Sequence, residues 1–213
     1  MPQVVKVEHI RKRGRLAILV IPGMPEIALE PDIVGKYSIR EGIEIPSSSL
    51  DEIRHESDLL RAENYVTYLL SRRAYSYGLL KNKMMEKQFE EKVIKATLTQ
   101  FHKRGLVDDA QFARQTVESL LRRKPAGRRF LIAYLESKRV ARKEAETAVD
   151  EALAGLDESE IAVRLLRSRW SYLAKFELET ARTKAYNYLS RRSIGYRAAK
   201  AAFEKLLKKE NED

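Results

Sequence analysis

Paired basic residues recur along this sequence from residue 72 onwards, and their side chains are the best candidates for binding a ligand. Guanidinium and ammonium groups bind phosphate, and arginine does so with two parallel hydrogen bonds. Cations are also usual at helix C-termini, where the helix dipole stabilises them by about 0.3–1 kcal/mol each. That local explanation does not cover Arg128-Arg129, which lie at a predicted helix start. The predicted contacts to nucleic acid are Arg72, Arg73, Arg122, Arg123, Lys124, Arg128, Arg129, Arg191 and Arg192.

Five tyrosines lie close to these clusters in the sequence and allow two interpretations. An exposed tyrosine ring can stack on a nucleobase. Tyrosine at helical spacing is, however, more often part of a core. The residues concerned are Tyr75, Tyr77, Tyr186, Tyr188 and Tyr196. We expect the basic clusters of successive helical units to face one side and to follow a phosphate track.

Residues that could form a catalytic or metal site are few and scattered. The three histidines (His9, His55 and His102) have no partner at metal-ligand spacing. The sequence contains neither a phosphate-cradling Gly-x-x-x-x-Gly-Lys-Ser/Thr loop nor a Gly-x-Ser-x-Gly nucleophile turn. Asp108 and Asp109 could in principle hold a metal, but helix capping explains both. The sequence therefore predicts a non-enzymatic protein with no catalytic residue, no metal and no cofactor.

Charge is distributed unevenly along the 213 residues, whose formal net charge is +10. Residues 1–53 carry 7 basic and 8 acidic side chains, whereas residues 54–213 carry 34 and 23. A positive field attracts polyanions such as nucleic acid, although the same charge could merely confer solubility. There is no cysteine and no apolar run of the roughly 20 residues that a membrane span needs. We expect a cytoplasmic protein that does not associate with membranes.

One helical pattern occurs three times, at intervals of 51 and 54 residues. Such self-similarity is typical of stacked helical units that cover one another's apolar faces. A second register, which aligns Leu70-Ser71-Arg72-Arg73 with Leu189-Ser190-Arg191-Arg192, matches two copies rather than three. The copies read Met84-x-x-Lys87-x-Phe89…Ile94-x-x-Thr97-Leu98, Leu135-x-x-Lys138-x-Val140…Ala145-x-x-Ala148-Val149 and Leu189-x-x-Arg192-x-Ile194…Ala199-x-x-Ala202-Phe203.

Capping residues divide this region into nine predicted helices. Gly105 precedes Asp108-Asp109-Ala110-Gln111, and Gly155 precedes Asp157-Glu158-Ser159-Glu160, so a helix stop is followed by a helix start in both places. Ser76 and Gly127 are candidate caps for two further helices. The predicted helices span 57–73, 77–86 and 90–104, then 108–123, 127–138 and 142–154, then 157–173, 179–192 and 195–208.

The first part of the chain is different, since five of the six prolines in the whole sequence lie before residue 47. We predict strands at 4–10 and 16–21 joined by a hairpin loop, a weaker strand at 26–29 and a helical turn at 31–37. Ser47-Ser48-Ser49 is interpreted as a loop and cap. The predicted fold is mainly α. A small β-rich N-terminal module (1–50) precedes an elongated array of three tandem three-helix repeats (51–106, 107–155 and 156–213).

Several segments resemble the RecX family, the regulators of the RecA recombinase. They are Gly105-Leu106-Val107-Asp108-Asp109-Ala110-Gln111-Phe112-Ala113, Lys124-Pro125-Ala126-Gly127 with Leu131 and Leu135, and Tyr188-Leu189-Ser190-Arg191-Arg192. The resemblance covers about residues 60–205. Two positions depart from the family pattern: Ser76-Tyr77-Gly78 lacks acidic residues, and Ser193-Ile194 stands where a Gly-Phe pair is usual.

The resemblance implies a protein that binds the RecA–single-stranded DNA filament. Family members lie in the filament groove, restrain ATP hydrolysis and strand exchange, and limit filament growth. We therefore expect a regulator of homologous recombination and DNA repair, and a monomer by default for an array that ends in the polar run 210–213. The alternative is a general single-stranded nucleic-acid-binding protein without a recombinase partner.

Overall fold

The computed structural model describes residues 4–210 of the chain, which form two compact units. The first unit comprises residues 4–75 together with Leu79–Val107, and the second comprises Ser76–Gly78 together with residues 108–210. The fold is mainly α with a small antiparallel β module at the N-terminus, which confirms the predicted class. The predicted limits of the individual repeats stay a prediction. Residues 1–3 and 211–213, including most of the polar run, lie outside the described part.

The N-terminal module contains five short strands and one helix: β1 (Val4–Lys6), β2 (His9–Arg13), β3 (Leu16–Val20), β4 (Ile27–Leu29), α1 (Pro31–Lys36) and β5 (Glu44–Pro46). β2, β3 and β4 form one antiparallel sheet, and β1 pairs with β5. The predicted strand 4–10 is therefore two strands. The chain changes sheets at Val7, whose N–H donates to Ile43, while the next N–H, of Glu8, donates to Val20. β5 was not predicted.

The module shares its core with the start of the first long helix, α2 (Ser47–Arg72). Leu50 and Ile53 are 2% and 3% exposed and pack in the same apolar cluster as Leu19 and Leu29. The predicted loop at Ser47–Ser49 is helical, because serine is well tolerated in a first turn where backbone N–H groups have no helical acceptor. A module this small thus depends on α2 for its core, as its size suggested.

Nine further helices follow α2: α3 (Tyr77–Glu86), α4 (Glu91–Lys103), α5 (Asp109–Arg123), α6 (Arg128–Ser137), α7 (Arg142–Leu153), α8 (Glu158–Arg167), α9 (Trp170–Leu173), α10 (Leu178–Ser190) and α11 (Tyr196–Glu210). Their ends agree with the predicted ones within about two residues, with two exceptions. The helix predicted from residue 57 begins at Ser47, and the one predicted for 157–173 is broken after Arg167. At that break Ser168 Oγ donates to the carbonyl of Leu165.

The repeat register is visible in the backbone after α3, α6 and α10. Each of these helices is followed by one left-handed residue, and the next N–H donates to the carbonyl five positions back, as in a Schellman cap. The left-handed residues are Gln88, Arg139 and Ser193, with φ of 61°, 60° and 56°. The bonds are Phe89 to Met84 (3.2 Å), Val140 to Leu135 (3.2 Å) and Ile194 to Leu189 (3.1 Å). The 51- and 54-residue register therefore describes local geometry as well as apolar spacing.

Two contacts within the second unit join equivalent positions of the repeated pattern. Ser76 Oγ donates to the carbonyl of Lys138, and Gly127 N–H donates to the carbonyl of Arg192 at 2.8 Å. A Cβ added to Gly127 would lie 2.1 Å from the carbonyl oxygen of Ser193. Glycine is therefore required at position 127 because the backbone there lies close to the carbonyl of Ser193. Its backbone conformation is not the reason, since a φ of −77° is open to any residue.

Candidate nucleic-acid interface

Six basic side chains of the second unit line one shallow cleft of about 630 Å³. They come from the C-terminal ends of α5, α8 and α10 and from the residues just after them. The rest of the lining is Pro125, Leu165, Ser168 and Tyr188, so no carboxylate is among the described residues that line it. We call this surface the basic cleft; its cations are Arg122, Arg123, Lys124, Arg164, Arg169 and Arg192.

The chain between α5 and α6 brings these helix ends together. Pro125 cannot continue α5, because proline has no N–H and disfavours helical geometry in the preceding residue. The chain then turns inward, and Pro125, Ala126 and Gly127 are buried. The bond from Gly127 N–H to the carbonyl of Arg192 fixes the start of α6 against the turn after α10. That contact places Arg192 beside the end of α5.

Arg164 holds the end of α5 from the other side. Its Nη2 donates to the carbonyl of Leu121 at 2.7 Å and to that of Arg122 at 3.0 Å. Carbonyls in the last turn of a helix have no helical donor, and a guanidinium there also interacts favourably with the dipole. Arg164 therefore positions the segment that carries Arg122, Arg123 and Lys124.

Tyr188 carries two of the cleft arginines. The Arg169 guanidinium carbon lies 4.3 Å from the centre of its ring, and that of Arg192 lies 6.0 Å away. Arg192 also lies 5.4 Å from the ring centre of Phe130. Each cation–π contact of this kind stabilises an arginine by about 0.5–1 kcal/mol at an exposed site. The arrangement Phe130–Arg192–Tyr188–Arg169 thus orders two guanidinium groups before any ligand binds.

None of the six cleft cations forms an ion pair with a carboxylate among the described side chains, those of residues 4–208. A concave surface lined by one sign of charge concentrates counter-ions and raises the association rate of charged ligands. The chemistry that fits this cleft is binding of a polyanion with several phosphates.

Arg128 has a different environment from the cleft arginines. Its Nε lies 2.6 Å from Oδ1 of Asp150 and its Nη2 lies 2.8 Å from Oδ2. This hydrogen-bonded pair lowers the pKa of the Asp150 carboxyl and raises the pKa of the Arg128 guanidinium. The carboxylate offsets the unfavourable position of Arg128 at a helix start, so that position no longer indicates a ligand.

The remaining predicted residues also lie outside the lining of the cleft. Arg129 and Arg191 are exposed and are close in sequence to residues of the cleft, but they do not line the cleft. Arg72 and Arg73 belong to the first unit, where they contact the rings of Tyr68 at 5.1 Å and Tyr75 at 4.4 Å. Of the nine predicted cations, the cleft brings together Arg122, Arg123, Lys124 and Arg192.

Sequence reasoning missed Arg164 and Arg169, because it relied on adjacent pairs of cations. A signal was nevertheless present: Arg164, Arg167 and Arg169 lie within six residues of the helix predicted for 157–173. Cations three or four residues apart lie on the same face of a helix, so a basic cluster need not consist of adjacent residues.

Among the tyrosines, Tyr188 lines the cleft, whereas Tyr186 is a core residue. The Tyr186 ring packs against those of Tyr196 and Phe203 at 5.4 Å and 6.2 Å, and burial raises the pKa of its hydroxyl. Tyr77 contributes its backbone N–H to a cap rather than its ring to the cleft.

The predicted helix caps at Asp108 and Asp157 are confirmed. Asp108 accepts a hydrogen bond from Gln111 N–H at 2.9 Å, and Asp157 accepts one from Ser159 N–H at 2.8 Å. Asp109 accepts one from Tyr77 N–H at 2.6 Å, at the start of α3. Among the side chains that the structure describes, those of residues 4–208, no three potential metal ligands come together. No helix in the same range has the length and hydropathy needed to cross a membrane.

Comparison with known proteins gives relatives with one shared name. The chain is 22% identical to "Regulatory protein RecX" of Streptococcus sanguinis over an alignment of 213 positions that covers 98% of this chain and 80% of that protein. It is 30% identical to the protein of that name from Syntrophotalea carbinolica over 130 residues, 59% of this chain and 83% of the relative. No protein-family model matches the chain.

Two solved structures have a similar fold. One, described as the crystal structure of regulatory protein RecX, superimposes with a TM-score of 0.64 over 92% of this chain and 97% of the other. The second is RecX from Lactobacillus salivarius, with a TM-score of 0.60 over 70% of this chain and 96% of the other. Both are 16% identical in sequence, so the likeness is one of fold.

Proposed function

This chain belongs to the RecX family of regulatory proteins, and from that membership we propose that it binds the RecA–single-stranded DNA filament and restrains it. In this proposal the protein is a non-enzymatic cytoplasmic regulator of homologous recombination, active as a monomer. It lowers the ATPase activity, strand exchange and growth of the filament. The observation that carries the proposal is the basic cleft, whose six cations have no carboxylate partner among the described residues.

The cleft suits a filament ligand because a filament presents the same charged groups repeatedly. A nucleoprotein filament repeats the same phosphates and protein surfaces at short intervals, so a bound protein that releases one contact meets an equivalent one nearby. Modest individual contacts then give substantial overall affinity. A protein with one concave cationic surface can in this way compete with filament growth without catalytic groups.

The test is the activity of a recombinase filament with sub-stoichiometric amounts of this protein. We expect ATP hydrolysis and strand exchange to fall as the protein is added. The variant Arg122→Gln/Arg123→Gln should require several times more protein for the same inhibition. Arg128→Gln is the matched control, because it removes one helix-end arginine that already has Asp150 as its partner. Unchanged activity at every ratio would refute the proposal.

A second function, general binding of single-stranded nucleic acid, is favoured by the same cleft considered alone. Nothing in its lining is specific for a protein partner, and any flexible polyphosphate could enter it. The two functions differ in ligand preference. At equal salt concentration a filament regulator binds the filament more tightly than bare single-stranded DNA, whereas a general binding protein shows no such preference.

A further inference from the structure

We propose that the basic cleft binds the sugar–phosphate backbone of a single strand and leaves its bases uncontacted, with Tyr188 as a positioning residue for two arginines. This inference rests on the proposed function, because it assumes that nucleic acid is the ligand of the cleft. It goes further by naming the part of the nucleic acid that is bound and the side chains that bind it.

The aromatic ring in the cleft is already covered by an arginine. Single-strand binding proteins usually hold bases on open aromatic faces. Tyr188 is the one aromatic side chain among the described residues that line the cleft, and it is half-buried against the core that contains Leu189 and Phe203. The guanidinium of Arg169 already lies over its ring at 4.3 Å. A base that stacked on this face of the ring would have to displace Arg169.

Contact with an aromatic ring orders an arginine side chain before the ligand binds. A guanidinium that lies over a ring still has N–H groups that can donate to two phosphate oxygens. The side chain has also lost part of its rotational freedom before the ligand arrives, so less entropy is lost on binding. Arg169 and Arg192 are therefore prepared for phosphate, and Tyr188 acts through them.

The lining of the cleft also distinguishes between two possible ligands, a nucleic-acid backbone and an acidic protein segment. Protein interfaces depend on aromatic or aliphatic anchors that enter apolar pockets. The aliphatic residues of the cleft lining, Pro125 and Leu165, are buried and offer little surface to an anchor. Five of the six cations are arginines, which bind phosphate in the geometry described above. The cleft therefore favours phosphates over an acidic peptide.

The experiment compares two fluorescent oligonucleotides of equal length and equal phosphate number, one of thymidines and one entirely abasic. Anisotropy titrations at one salt concentration give both affinities. We expect the abasic strand to bind the full-length protein within about twofold of the thymidine strand. A single stacked base contributes about 1–3 kcal/mol, so a base-binding cleft would weaken the abasic strand roughly fivefold or more.

Variants of the positioning residue give a second readout. Tyr188→Leu removes the ring, and we expect both strands to lose affinity by the same factor of about three to ten. Tyr188→Phe keeps the ring and should bind like the original protein. Arg169→Lys keeps the charge without the planar fork and should weaken both strands equally, which tests the same idea in a chain whose core is intact. Thermal melting checks that each variant is folded.

The outcomes separate this inference from the proposed function. If Arg122→Gln/Arg123→Gln weakens the thymidine strand but the abasic strand binds at least fivefold more weakly, bases are contacted and only the inference fails. If removal of these charges changes neither strand, nucleic acid does not occupy the cleft and the proposed function loses its support. Tighter binding of a polyglutamate of matched charge than of either strand would contradict the inference, because the cleft would then favour an acidic protein segment over the phosphates of a strand.

Discussion

Two groups of arginines in the second unit look alike in the sequence and differ in what surrounds them. In the basic cleft, none of the six cations has a carboxylate partner among the described residues. On α6 and α7, Arg128 pairs with Asp150, and Arg142 lies 2.9 Å from Glu146 and 3.4 Å from Glu136. Both groups lie at helix ends. The difference teaches that clustering of cations near helix ends does not show which of them remain available; their partners decide it.

The prediction with the largest effect concerns the contact that assembles the cleft. Gly127→Ala introduces a Cβ 2.1 Å from the carbonyl oxygen of Ser193, so the start of α6 must move away from the turn after α10. We expect a loss of about 3 kcal/mol in the free energy of unfolding, the upper range for overpacking, and weaker oligonucleotide binding. Chemical denaturation and anisotropy measure the two effects.

The matched control is Gly35→Ala in α1, where an added Cβ meets no atom within 4 Å and the backbone is not left-handed. Its free energy of unfolding should stay the same or rise slightly, because alanine favours helix. Equal destabilisation by both variants would mean that the Gly127 contact has no special role and that the cleft is held together in another way.

The features that the sequence predicted well are local ones. Asp108 and Asp157 each cap a helix through an N–H two or three residues ahead, so their roles depend on neighbours in the chain. The buried positions of the repeat are also local, because they follow from apolar spacing along single helices. Leu135 and Leu189 are accordingly 0% exposed, as their repeat positions suggested.

The features that the sequence did not reveal depend on distant residues. Arg128 looked like a ligand-binding residue because its partner Asp150 is 22 positions away. Arg164 was overlooked because its acceptors, the carbonyls of Leu121 and Arg122, are 43 and 42 positions away and leave no mark in composition. β5 was missed for a similar reason: three residues become a strand only because β1 pairs with them.

A smaller effect is expected from removing the side chain that holds α5 in the cleft. Arg164→Gln loses the guanidinium that donates to two carbonyls at the end of that helix. We expect the free energy of unfolding to fall by about 1 kcal/mol and the affinity for a thymidine oligonucleotide to fall severalfold. Arg167→Gln on the same helix, outside the cleft lining, is the control. If both variants bind equally well, Arg164 does not position the cleft.

A change that leaves every charge in place separates stability from binding. Ser193 has a φ of 56°, which glycine adopts without strain, so Ser193→Gly should raise the free energy of unfolding by about 0.5–1 kcal/mol. Oligonucleotide affinity should not change, because Arg192 keeps its position. Ser190→Gly in α10 is the control and should cost about 0.5 kcal/mol. A destabilised Ser193→Gly protein would contradict this description of the turn.

The smallest effect concerns the paired arginines, and it depends on pH. Asp150 has a pKa below its ordinary value of 3.8 because Arg128 hydrogen-bonds to its charged form. The stabilisation by this pair is therefore complete above about pH 4 and is lost as the pH falls further. In Arg128→Gln the pKa of Asp150 should return to its ordinary value, which an NMR titration of the carboxyl carbon measures. An unchanged titration would show that the two side chains do not interact in solution.

The distinction between available and paired arginines is tested most directly by the salt dependence of single-stranded DNA binding. Each phosphate contact to a single strand contributes about 0.7 to the slope of log affinity against log salt concentration. The variant Arg122→Gln/Arg123→Gln should reduce that slope by about 1.4, whereas Arg128→Gln/Arg142→Gln should leave it unchanged. Equal reductions by the two variants, or a reduction only in the second, would contradict the assignment of the basic cleft as the binding surface.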